Sequence, residues 1–222
     1  MEDNPPLLHA DHLQALRHLS ASFCLTEGGS HGPDHSERVF RSAMTLGRLM
    51  QANLVVLAPA ALLHDIGRKA ESTAKGKVCH AHLGARLAAS LLPQFSYTMD
   101  EIRAICHCIQ THRYRGADRP DSLEAKILFD ADKLDGIGAV GIGRAFLFAG
   151  QLGARLHNPE KNPEHTLAYS VEDTAYREFQ VKMSKVREQM LTPAGRQFAE
   201  QRHAFMERFF TQLTLETSGL SL

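Results

Sequence analysis

The sequence lacks any long run of lysine or arginine, and its 25 Lys+Arg are balanced by 25 Asp+Glu. A sequence-independent grip on nucleic acid therefore has no support, and no specific nucleic-acid partner is expected. There is no membrane-length apolar run either. The longest, Leu54 to Leu63, is about half of the ~20 residues that a span needs. The N-terminal stretch MEDNPPLLHADHLQ has neither the basic start nor the apolar centre of a secretory signal. Cysteines are few: Cys24, Cys79, Cys106 and Cys108 lack zinc-ribbon spacing, and Cys106 and Cys108 are poorly placed to pair if they share a helix. Reduced thiols in a cytoplasmic protein are the simplest reading. Strand-like alternation and internal repeats are also missing.

At 222 residues and 43% hydrophobic content, the chain can bury a substantial core. Helical spacing dominates. Leu13, Leu16, Leu19 and Phe23 recur on one face until the Glu27-Gly28-Gly29 break. Asp34 with Glu37 reads as a capping box that opens a second helix through Val39, Ala43, Leu46 and Met50. A third helix covers Leu54 to Ile66 and stops at Gly67, with Pro59 either kinking it or marking where its regular part begins. Arg68 to Val78 reads as loop, Cys79 to Leu92 as the next helix, and Thr98 with Glu101 as another capping box. Asp121 and Glu124 are expected to cap a helix that runs into Asp130-Ala-Asp132-Lys-Leu-Asp135. The glycine-rich stretch GIGAVGIGRAFLFAG then needs close packing to offset about 1 kcal/mol per glycine. Two amphipathic helices close the chain, and Phe198, Phe205 and Phe209 are expected in the core of the second. The fold class is all-α. The division expected is residues 1–150 as a core carrying the functional site, with 151–222 as a loop and C-terminal helices packing on it.

The compositional outlier is histidine, at 13 residues. His64-Asp65 alone means little, since about 0.6 such dipeptides arise by chance at this composition. Its context says more: the pair ends the apolar run AALLHDIG, where neither a buried imidazole nor a buried carboxylate is expected unpartnered. A divalent cation would resolve the burial, pairing the carboxylate and taking the neutral imidazole as ligand. A capped helix end with both side chains bonded to loops would resolve it as well. His35, in the first turn of its helix, and one carboxylate from Asp130, Asp132 and Asp135 would complete an N₂O₂ set from three helices. Such a set suits Mn²⁺, Fe²⁺, Mg²⁺ or Zn²⁺ and leaves positions for water and substrate. A calcium loop is excluded, because its sixth position would be Asp135 and its twelfth Gly141.

In this order, His35, His64-Asp65 and Asp132 resemble the H…HD…D signature of HD-domain metal-dependent phosphohydrolases. GPDHSERVFRSA, PAALLHDIG, ICHCIQTHRYRG, LEAKILFDADKLDGIGAVGIGRAF and GRQFAEQRHAFMERFF extend the likeness to the small bacterial YedJ/YpgQ-like branch, from about residue 20 to 215. The resemblance implies a single HD-domain helical bundle with additional C-terminal helices. It implies His35, His64, Asp65 and Asp132 as ligands of one divalent metal, with Mn²⁺ favoured over Mg²⁺, Fe²⁺, Co²⁺ or Zn²⁺. Asp130 and Asp135 are then orienting or capping residues.

Catalytic roles fall to Asp65, which would orient water, and to His112 and His80. His112 matches a histidine near the metal or substrate phosphate, and in two-metal relatives that histidine completes a second site. His80 and His82 fit alternative family spacings for the histidine of the following helix. Arg68, Lys69, His82, His107 and Lys133 are candidate substrate contacts.

The implied activity is hydrolysis of a soluble nucleotide, foremost a (deoxy)nucleoside triphosphate to monophosphate and pyrophosphate, by a monomer or homodimer. A nucleotide monophosphatase, a phosphodiesterase, a di-iron oxygenase and a non-catalytic nucleotide sensor are the alternatives.

Overall fold

The computed structural model describes residues 10–23, 33–114 and 118–220, and among these there is no strand. Cys24 and the Gly28-Gly29 break lie outside the described residues. The chain divides into two compact units, Met1–Asp132 and Lys133–Leu222. The two units part inside a helix, and the glycine-rich segment falls in the second. No described helix is long and apolar enough to cross a membrane.

In the first unit, α1 (Ala10–Phe23) is tied to the next-but-one helix where the Ser20 hydroxyl donates to the Leu62 carbonyl at 2.7 Å. Helix α2 (Pro33–Leu49) buries Val39, Ala43 and Leu46 along one stripe. Its first residue is Pro33, so Asp34 is already inside the first turn. The expected capping box is not made. Asp34 pairs with Arg38, while Glu37 pairs with Arg17 and Arg41.

Helix α3 (Leu54–Leu63) starts at Asn53, whose side chain accepts from the Val55 N–H. From Val56 to Leu63 every residue is buried, so this is the unit's central helix. Pro59 sits mid-helix and does not mark its start; its ring costs one internal hydrogen bond.

Arg68–Thr73, read as loop from the sequence, forms a short helix, α4. The reason lies at Gly67. A Cβ there would meet the His80 carbonyl oxygen at 2.3 Å and the Gly84 nitrogen at 2.9 Å. The chain after α3 thus passes hard against α5 (His80–Leu91), and only glycine permits it. Helix α6 (Met99–Thr111) has the expected Thr98/Glu101 capping box. Its Cys108 thiol is pushed up to about 12 by burial, which leaves it chemically quiet. Helix α7 (Leu123–Asp135) starts where the Ser122 hydroxyl, rather than Asp121, accepts from the Ala125 N–H, while Glu124 reaches the backbone N–H of Asn53.

The second unit holds α8 (Gly138–Gln151), α9 (Ala175–Val181) and α10 (Pro193–Thr217). Gly138, at φ +74°, lies where a Cβ would press on the Arg202 stem at 2.9 Å, and Arg202 in turn donates to the Leu134 carbonyl. The aromatic core of α10 is one register away from the expected stripe. Phe210 is buried and stacks on Phe179 at 4.7 Å, whereas Phe205 is exposed and Phe198 and Phe209 are half-buried.

Gly67→Ala should destabilise the fold by about 1–3 kcal/mol through this backbone clash. Gly143→Ala, in α8 with nothing within 4 Å of the added methyl, should instead gain up to about 1 kcal/mol of helix propensity. Urea denaturation of both variants checks the pair.

Candidate metal centre

Two helix ends use the same device. His64 follows the last residue of α3, and its Nδ1–H donates back to the Ala61 carbonyl at 2.8 Å. His112 follows the last residue of α6, and its Nδ1–H donates back to the Ile109 carbonyl at 2.6 Å. Both rings are fully buried. A carbonyl can only accept, so each Nδ1 carries the proton and each neutral ring turns a bare Nε2 inward. Burial pushes His64 down, and pushes His112 down to about 3, so both stay neutral at ordinary pH. His80, the first residue of α5, has a different partner for the same purpose: its Nδ1–H donates to Glu71 Oε2 at 2.6 Å, and Arg113 holds the other Glu71 oxygen at 2.7 Å.

The inward atoms form two groups, His35/His64/Asp132 and Asp65/His80/His112. In the first, His35 Nε2 lies 3.4 Å from both His64 Nε2 and Asp132 Oδ1, and His64 Nε2 lies 3.9 Å from Asp132 Oδ1. In the second, His80 Nε2 lies 3.1 Å from Asp65 Oδ1 and 3.2 Å from His112 Nε2, with 3.7 Å from His112 to Asp65.

Asp65 faces both groups. Its Oδ2 is 3.6 Å from His35 and 3.8 Å from His64, while its Oδ1 faces the second group. An ion about 2.1 Å from each ligand spaces neighbouring ligand atoms roughly 3.0–3.5 Å apart. The first group with Asp65 therefore fits one divalent ion. Lone pairs this close and this buried are costly to hold together without a cation between them.

The carboxylates are prepared for that task. Burial alone would raise Asp65 and Asp132, yet both are held far below the usual carboxylate range, Asp132 by its hydrogen bond with His35 and Asp65 with the Arg68 guanidinium against it. Arg68 grips Asp65 with Nε at 2.7 Å from Oδ2 and Nη2 at 3.0 Å from Oδ1. The Asp132 and Arg68 side chains, 23% and 26% exposed, reach solvent; the buried rings do not.

The structure thus brings together His35, His64, Asp65, Asp132, His80, His112 and Arg68. Of the two histidines that begin α5, His80 lies in the second group, whereas His82 is exposed and bonded to Asp118 at 2.8 Å. His107 also stays outside, where its Nε2 accepts the Asp121 N–H at 3.3 Å and anchors the segment leading into α7. Lys69 is exposed on α4. Lys133 follows Asp132 in α7, at the start of the second unit. Asp130 is buried in α7, and Asp135 receives Arg144 at 2.6 Å. Glu71 and Arg113 were missed by sequence reading. Both fall in polar stretches where nothing distinguishes them from solvated surface.

An all-α bundle that gathers histidines and aspartates in H…HD…D order defines a class of metal-site proteins. The chain belongs to the HD-domain family. The HD domain model matches residues 34–137, and the Bacillus subtilis protein YpgQ is 33% identical over 212 residues, covering 93% of this chain and 94% of YpgQ. The solved structure of YpgQ in complex with ADP superposes with a TM-score of 0.71 at 30% identity, over 94% of this chain and all of that one. An HD-superfamily hydrolase from Bacillus thuringiensis superposes with a TM-score of 0.74 at 25% identity, over 94% of this chain and 97% of its own.

A folded-state ion site predicts linkage: Mn²⁺ at a hundred times its Kd should stabilise the protein by about 2.7 kcal/mol, and EDTA should reverse the gain. Thermal melts of the unmodified chain and of His64→Ala check this, the variant showing no metal-dependent shift.

Proposed function

We propose that the protein is a metal-dependent phosphohydrolase of soluble nucleotides, cleaving a (deoxy)nucleoside triphosphate to monophosphate and pyrophosphate. The observation that carries this reading is the convergence of His35, His64, Asp65 and Asp132, whose ligand atoms are spaced for one divalent ion. Mn²⁺ is the favoured ion. YpgQ, similar over nearly the whole chain, was crystallised with ADP, which supports a nucleotide as ligand.

When bound, a divalent ion supplies the Lewis acidity that polarises a phosphoryl oxygen and acidifies water. Asp65, its carboxylate held ionised, orients the attacking water, and Asp132 balances charge from α7. Lys69 and Lys133 are the cations proposed to meet the outer phosphates.

The imidazoles bear on which bond breaks. His112 spends its Nδ1 proton on the Ile109 carbonyl and presents a lone pair inward, so it is not set to protonate a leaving group. Attack of water on the α-phosphorus breaks the α–β bridging P–O bond and expels pyrophosphate, which departs without a protein acid. A monophosphatase would have to expel a far more basic nucleoside alkoxide, for which such an acid is needed. The His112 tautomer thus favours the triphosphate reaction.

A second reading, a two-metal centre of the di-iron oxygenase kind, draws on the Asp65/His80/His112 group. Two irons per chain with oxygen consumption would favour it over one Mn²⁺ with phosphate release.

Nucleotides of each phosphorylation state, incubated with Mn²⁺, Mg²⁺, Co²⁺ or Zn²⁺ and analysed by mass, test the proposal. The expected products are a nucleoside monophosphate and pyrophosphate. Asp132→Ala should remain helical and lose turnover by more than about a hundredfold, whereas His82→Ala should stay close to the unmodified rate. Full activity in Asp132→Ala, or inertness towards every nucleotide, would overturn the reading.

A further inference from the structure

The second group already has a cation against it. Asp65 Oδ1 and His80 Nε2 are 3.1 Å apart, and the Arg68 guanidinium lies against both. Its Nη2 is 3.0 Å from Asp65 Oδ1 and 3.2 Å from His80 Nε2, one N–H for each, while Nε anchors on Asp65 Oδ2 at 2.7 Å.

We propose that the Arg68 guanidinium is the resident cation of the Asp65/His80/His112 group, taking two of the three ligand atoms a second metal ion would need and so setting the centre at one metal per chain. The inference deepens the hydrolase reading and rests on it, since it presumes an ion at the His35/His64/Asp132 group.

The sequence places the plug well. Arg68 opens α4, three residues after Asp65, so the turn through Gly67 delivers it directly over the carboxylate. A guanidinium suits the position better than an ammonium, because its planar fork satisfies two acceptors at fixed spacing and stays charged. Glu71 and Arg113 complete the arrangement from behind, keeping the His80 ring aimed at Arg68. With Arg68 in place a second dication would meet a positive charge where it needs ligands. With Arg68 gone, three inward atoms within 3.7 Å of one another remain to hold a metal.

Metal content per chain, measured by mass spectrometry after saturation with Mn²⁺ and desalting, tests this. The unmodified protein should hold one ion, Arg68→Met two, and Arg68→Met combined with His112→Ala one again. Arg68→Gln, which keeps a polar contact to Asp65, should also hold two and guards against a folding defect in Arg68→Met. In the unmodified protein, electron paramagnetic resonance through a Mn²⁺ titration should show only magnetically isolated ions. An exchange-coupled pair there, or a count of one in folded Arg68→Met and Arg68→Gln, overturns the plug while leaving the hydrolase reading intact. No metal in any of these proteins would overturn that reading and the plug with it.

Discussion

Everything about the first unit turns on one repulsion: bare imidazole nitrogens and carboxylate oxygens that face one another across 3.1 to 3.9 Å inside a buried pocket. In water such groups would be hydrated apart. Here helix packing holds them together, and positive charge must offset the cost. The proton positions make the demand sharper. The outward Nδ1–H bonds of His64 and His112, both neutral, leave their inner nitrogens without protons, so these two rings cannot hydrogen-bond to each other in place of a cation.

That pocket exists because apolar packing brings chain ends, not chain middles, to one place. Helix α3 is buried along nearly its whole length, which leaves no exposed face on which His64 could escape. The Gly67 turn then lets α5 approach within a distance no side chain would permit, and His80 arrives beside Asp65 as a result. Gly84 lies on the other side of the same approach, where a Cβ would stand 3.5 Å from the His64 carbonyl and 3.3 Å from Ile109 of α6. Ligand geometry and core packing are one problem in this unit.

Much of this was legible in the residues. An apolar helix ending in His64-Asp65 announces a buried polar pair that needs a partner, and the all-α class follows from periodicity alone. What local pattern could not supply was direction. His80 and His82 begin the same helix two residues apart, and only the Gly67 crossing decides which one turns inward and which meets Asp118. Arg68–Thr73 was misread as loop because six residues carry too little periodicity to identify a helix whose stability comes from its neighbours. The phenylalanine stripe of α10 was read one residue out, since Phe209 and Phe210 are adjacent and tertiary contact alone selects Phe210. Asp34 and Glu37 matched the capping-box pattern, but Pro33 starts the helix one residue too early for it.

Charge balance draws these features towards a single conclusion. Three carboxylates, Asp65, Asp132 and Glu71, meet two guanidinia, Arg68 and Arg113, so these five groups together carry one net negative charge. One dication turns that into one positive charge, suited to a polyanionic substrate yet modest enough for a pocket this buried. A second dication beside Arg68 would bring it to three, with the added charges only a few ångströms apart and little water to screen them. The centre can carry either Arg68 or a second ion against His80 at tolerable cost, and the ion pair with Asp65 gives that position to the arginine. Metal count in this fold is on this view a property of one side chain three residues beyond the HD dipeptide, and it can change without any ligand changing.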